Sequence, residues 1–288
     1  MFIRLVAPVL ALTIMACPLY AQTDPVTDPV GEPQAEVAAS DALFAALALP
    51  DLIDIMREEG MEYGRQINTD LFPNQGGAEW HAAIANIYDS ERMQTEVRAA
   101  LAEALTGQDV APMLAFFETE PGLSFVALEV SARRALLDEA VEEASKEIAA
   151  IEIADETPRY QIITRFIVAN DLIETNIVGA LNSNFAFYRG LMRGDALPVE
   201  LTETEILADV WAQEPEIRAS TTEWVYSFLL MAYQPLTEAD LEAYIAFSET
   251  EPGRALNRAI FAAFDGVFED VSERLGFAAT RYMVGQAL

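Results

Sequence analysis

The sequence is short of the residues that carry most protein chemistry. One cysteine, Cys17, and one histidine, His81, stand in 288 residues. That excludes disulfide scaffolds, cysteine-based zinc sites and iron–sulfur clusters, each of which needs several such ligands. Lysine occurs once, at Lys146, and 17 Lys plus Arg face 47 Asp plus Glu, a net charge of −30. A polyanion has to be gripped by clustered cations that displace its counterions, so scattered arginines in an acidic chain exclude nucleic acid as a partner. Glycine-rich phosphate loops, a G-x-S-x-G nucleophile turn and a D-x-[DN]-x-[DN]-G calcium loop are all missing, and no cofactor or metal is expected. NTDLFPNQGG around Asp70 reads as a turn. Beyond the N-terminus no segment approaches 18 uninterrupted apolar residues, so no transmembrane segment is expected in the mature chain. No stretch alternates with period two, so strands are not expected either.

What is present begins with an export address. MFIRLVAPVLALTIMACPLYAQ has one Arg, an apolar run from Leu5 to Ala16 and small residues after it. It reads as a signal peptide over 1–21, cut after Ala21, giving a periplasmic or secreted protein. The alternative takes Ile14-Met15-Ala16-Cys17 as a lipoprotein box with Cys17 lipidated and the protein anchored to the envelope. Residues 22–39, with Pro25, Pro29 and Pro33 and no apolar periodicity, read as an acidic, extended spacer.

The body of the chain repeats itself. LTGQDVAPMLAFFETEPG (105–122) aligns without gaps on LTEADLEAYIAFSETEPG (236–253), with 10 of 18 positions identical at an offset of 131. The same offset sets Trp80 on Trp211 as two expected core anchors, and a looser match sets Asp51 on Asp171. Two related units follow, 40–155 and 156–288. Both read as helical: Val110, Met113, Leu114 and Phe117 make an amphipathic stripe, matched by Leu241, Tyr244 and Ile245. Capping pairs are expected at Thr106/Asp109, Thr237/Asp240 and Thr202/Glu205, with Asp89-Ser90 opening a further helix. In the repeated ETEPG, Thr119 and Thr250 are N-cap candidates and Pro121 and Pro252 suit a first turn. Glu129 and Arg133 are expected to pair on the wet side of their helix. The expected fold is all-α: two tandem, related helical bundles after a signal peptide and linker.

At the AF-x-ETEPG segments the chain resembles bacterial exported proteins of the domain of unknown function 2059 family. The residues that carry the resemblance are Phe116, Thr119, Pro121 and Gly122, and again Phe247, Thr250, Pro252 and Gly253. It covers about 50 residues per copy and implies a signal peptide and a short all-α domain, with no activity attached. A glutamate separates Thr from Pro here, where the family places them together. The family's basic residue after the glycine is Arg254 in the second copy and is replaced by Leu123 in the first.

Two kinds of chemistry are weighed on these residues. Glu118 with Glu120, and Glu249 with Glu251, are repeated carboxylate pairs of the sort that serve as general acid and base; acids also stabilise the first turn of a helix, which accounts for them without catalysis. His81 has Ala212 at the equivalent place and no nucleophile signature beside it. Phe185, Phe187, Tyr188, Leu191 and Met192 could line a groove for an apolar ligand or partner helix, or form core. The resulting expectation is a periplasmic helical module that binds an envelope protein or an apolar ligand. The alternative is a carboxylate-dependent hydrolase of the envelope.

Overall fold

The structure, a computed structural model, describes residues 32–194 and 202–283. These form thirteen helices: α1 (Glu32–Ala46), α2 (Leu49–Leu71), α3 (Gly77–Ile87), α4 (Ser90–Ala104), α5 (Ala111–Phe117), α6 (Gly122–Ala135), α7 (Glu139–Ala154), α8 (Pro158–Ala169), α9 (Leu172–Arg193), α10 (Glu203–Trp211), α11 (Glu214–Ala232), α12 (Glu238–Ser248) and α13 (Glu251–Met283). No strand occurs among the described residues. The signal segment 1–21, Cys17, Pro25 and Pro29 lie outside them. Helix α1 starts within the stretch expected to be a spacer, and Pro33 falls in its first turn, where a missing amide costs nothing.

Helix starts follow local chemistry. Asp89 accepts from the Arg92 amide at 2.8 Å and opens α4. Thr202 with Glu205, and Thr237 with Asp240, form reciprocal capping boxes at α10 and α12. Thr106 does not cap: its hydroxyl donates to the Ala102 carbonyl at 3.3 Å, and the Ala111 amide is taken by Asp109 instead. The reason is Gly107, which turns the chain through φ 74 where the second half has Glu238 already in helix. Both α2 and α9 are preceded by a left-handed residue, Ala48 (φ 48, ψ 33) and Asp171 (φ 48, ψ 36). Ala48 therefore stands where Asp171 stands, and the looser alignment of Asp51 with Asp171 is out by three residues.

The two ETEPG corners share a constraint that explains their glycine. A Cβ on Gly122 would be driven into the Phe116 carbonyl oxygen, and one on Gly253 into the Phe247 carbonyl oxygen. Only glycine allows the new helix to start this close to the end of the old one. The threonines differ. Thr250 accepts from the Gly253 amide at 3.1 Å and caps α13, whereas Thr119 donates back to the Ala115 carbonyl at 2.7 Å.

Two separate bundles do not form; the helices make one intertwined bundle. Helix α13 packs along α9 and also across α4, while α6 and α7 pack on α11. The physical cause is that α4 and α11 each present an apolar face that the last helices of the other half cover. On α4 this face is Met93, Val97 and Leu101, all buried. Thirty-three residues make α13 about 50 Å long, enough to run past both partners. It is correspondingly buried on several sides, through Leu256, Ile260, Phe264 and Leu275 on one face and Ala255, Phe261 and Ala279 on others. Gly190 and Gly276 face the other helix's backbone and let α9 and α13 approach closely. Where the halves meet, Phe125, Phe166, Tyr233 and Tyr244 fill the space, with Phe125 and Tyr244 ring centroids 4.2 Å apart.

The expected surface pair of Glu129 and Arg133 is also redrawn. Arg133 is 4% exposed, grips Glu59 of α2 through its Nε (2.6 Å) and Nη2 (2.7 Å), and lies over the Trp224 ring. Glu129 instead accepts from the hydroxyl of the fully buried Tyr233.

Candidate binding groove

Helix α10 is short and carries a bare apolar surface. Its sequence ETEILADVW places Ile206 and Val210 on one side and Leu207 and Trp211 about 100° round from them. Ile206 and Val210 are buried against α9. Leu207 and Trp211 are 53% and 67% exposed, beside Val178 of α9 at 52%. Its apolar arc is wider than the one helix it packs on can cover.

Between the two helices lies a groove of about 510 Å³ lined by Val178, Leu181, Asn182, Phe185, Leu207, Ala208, Val210 and Trp211. Asn182 and the indole N–H of Trp211 are the polar groups in that lining, which offers no acid, base or nucleophile. Chemically the groove can remove apolar surface from water and supply one amide to orient it. Helix α11 is tied to α9: Asn184 donates to Gln213 at 3.1 Å, and Arg218 reaches Glu174 of α9 and Glu214. The Arg218 hydrogen bond holds the Glu174 carboxyl below its ordinary range. Elsewhere on α9, burial and then the Asp209 charge push the Tyr188 hydroxyl up, so it stays protonated.

A second, larger concavity of about 840 Å³ is bordered by Glu58, Glu59, Glu62, Glu139 and Glu142 with Tyr63 and Leu137. Several of its acids already have cations: Arg134 meets Glu58 at 3.6 Å, Arg133 holds Glu59, and Lys146 meets Glu142 at 2.9 Å. No group of three or more His, Cys, Asp or Glu is placed to hold a metal ion among the described residues.

The residues singled out in the sequence end up scattered. Phe116 and Phe247, both half-buried, stack on each other at the edge of the core, with Gly122 and Gly253 at their own corners. Thr119 and Thr250 are exposed at those corners, beside Pro121 and Pro252. Glu118, Glu120, Glu249 and Glu251 are exposed, and Glu120 accepts from Ser124 at 2.6 Å. His81 is exposed on α3. Of the aromatic run on α9, Phe187, Tyr188 and Leu191 are core, Met192 packs partly against it, and Phe185 reaches the groove.

The two tryptophans part company. Trp80 is 3% exposed in the first turn of α3, donating to the Gly64 carbonyl at 2.8 Å. Trp211 is the last residue of α10 and faces solvent, so the expectation of two core anchors fails for it. The offset of 131 holds at the corners but not along α10, whose end falls where α3 ends, at Ile87. A signal was there to read: four apolar residues at 206, 207, 210 and 211 exceed the stripe of a helix with one partner.

A family described as "Uncharacterized protein conserved in bacteria (DUF2059)" matches residues 91–150, and this partial match suggests membership in that family. The matched stretch runs from α4 into α7 and does not include the groove. No curated protein and no solved structure matches the chain. No helix is long and apolar enough to cross a membrane among the described residues.

Proposed function

We propose that the protein is a non-enzymatic, exported binding module, and that the groove between α9 and α10 is where it binds. One observation carries this reading: Val178, Leu207 and Trp211 are each more than half exposed around a single apolar concavity, in a chain whose charge of −30 otherwise makes its surface acidic. A contiguous bare patch of large apolar side chains marks a place of interaction. The all-helical architecture supports an interaction module, and the exposed, dispersed carboxylates give the hydrolase alternative nothing to build on. Address and ancestry belong to the same reading. The N-terminal pattern supports export to the periplasm after cleavage at Ala21, with lipidation of Cys17 as the outcome that a mass spectrum of the mature N-terminus would distinguish. The repeated corners and the recurring order of helices support an ancestral tandem duplication whose halves have since become intertwined.

The experiment is binding of a neutral apolar dye, Nile red, to the full mature chain. Leu207→Ser with Trp211→Ser should remove most of the dye emission, while Ile151→Ser, at an exposed site on α7, should leave it. Emission indifferent to the groove pair would remove the groove from the reading.

A further inference from the structure

We propose that the groove's occupant is a cationic amphipathic helix of a partner protein, laying an aromatic side chain across α10 much as α13 lies across α3. This rests on the groove reading above. The molecule itself holds the precedent. Helix α3, the third helix of the first half, sits between α2 and α13. On it, Tyr282 of α13 closes over Trp80, with ring centroids 5.8 Å apart and planes at 83°, and stacks on Phe72 at 5.2 Å. Trp80 is buried as a result. Helix α10 holds the third place in the second half and has α9 as its packing partner. Its outer face, Leu207 and Trp211, is the face that a crossing helix would cover.

Size and spacing fit a helix of two to three turns. The nine residues of α10 span about 14 Å. Leu207 and Trp211, four apart, oppose Val178 and Phe185, seven apart, so both walls offer contacts at helical repeats. Charge selects the sign. The two groove helices carry Glu174, Glu203, Glu205 and Asp209 against Arg189 and Arg193. Both of those arginines are bound to Glu273 of α13, at 3.0 and 2.7 Å, and Arg218 of α11 is held by Glu174 and Glu214. The field at the groove is therefore negative. A second copy of this chain, at −30, or an anionic lipid surface would be repelled there, and lysines or arginines flanking an apolar stripe would be drawn in.

The test uses the full mature chain and two fluorescein-labelled peptides of 14 residues or about four turns: one of Leu and Lys in amphipathic register with a central Trp, the other with every Lys replaced by Glu. Anisotropy should show the Lys peptide binding at least about ten-fold more tightly than its Glu twin, and losing at least about ten-fold on Leu207→Ser with Trp211→Ser. Val178→Ser on the opposite wall should also weaken it, with helical circular dichroism unchanged in each variant. If the Glu twin binds as well and still depends on Leu207 and Trp211, the cationic assignment is overturned and the groove stands. If neither peptide depends on those residues, the groove reading falls as well. Self-association in sedimentation, or adsorption to phosphatidylglycerol vesicles, lost in the same variants would replace the partner helix by a second copy or a lipid surface and overturn the inference.

Discussion

Phe116 and Phe247 stack on each other, ring centroids 4.1 Å apart and planes within 8°, and they hold the same place in the repeated segment, 131 residues apart. Elsewhere α13 covers α4, and α6 and α7 cover α11.

Stability should depend on that pair as a unit. Phe116→Ala and Phe247→Ala, at half-buried rings, should each cost about 1 to 2 kcal/mol, and the double variant should cost less than their sum by roughly 0.5 to 1.5 kcal/mol, the coupling of an aromatic pair. Urea midpoints for the four proteins measure this. Strict additivity would mean that the rings touch without supporting each other.

The two corner threonines should behave differently. Thr250 accepts from the Gly253 amide while Thr119 only donates to the Ala115 carbonyl. Thr250→Ala should therefore cost about 1 kcal/mol, and Thr119→Ala clearly less. Equal shifts in denaturant midpoint would contradict the difference in their hydrogen bonds.

Glu129 should give stability a pH dependence near neutrality. Burial pushes its carboxyl up to about 7 from an ordinary 4.5, with the Tyr233 hydrogen bond pulling the other way. The folded protein thus holds this proton more tightly than the unfolded chain does. The associated stability is present in full below about 4.5 and is lost as pH rises through about 7. Glu129→Gln, which keeps the hydrogen-bonding shape without the charge, should remove that loss and leave the variant ahead by about 2 kcal/mol at pH 8. Chemical denaturation of both proteins at pH 5 and pH 8 decides it: a difference between them that does not change with pH would place the Glu129 titration elsewhere.

Salt should stabilise the protein. With a net charge of −30, self-repulsion opposes the compact state, and screening relieves it. The melting temperature should climb by a few degrees between about 0.05 and about 0.5 M NaCl as the Debye length shortens. A flat or falling trend would show that the ion pairs, such as Arg92 with Asp270 at 3.1 Å between α4 and α13, matter more than the surplus.

Local chemistry was legible in the residues because its causes are local. Helix content, the capping boxes at Thr202 and Thr237, the cap at Asp89 and the two glycine corners each depend on residues within a few positions of one another, so the chain alone decides them. The failures share the opposite cause. Arg133 was placed in water by its i,i+4 partner, but Glu59 lies 74 residues away. Trp211 was placed in the core by analogy with Trp80, yet burial of Trp80 depends on Tyr282, about two hundred residues further on.

By itself, the sequence determined an acidic, all-helical chain with a twice-used Thr/Pro/Gly corner, since composition, periodicity and first-turn hydrogen bonding are short-range properties. Only the tertiary structure decided that the halves interlock and that α10 keeps an apolar side bare. Which helix covers which face is a competition among distant surfaces for burial, and no window of the chain contains both competitors.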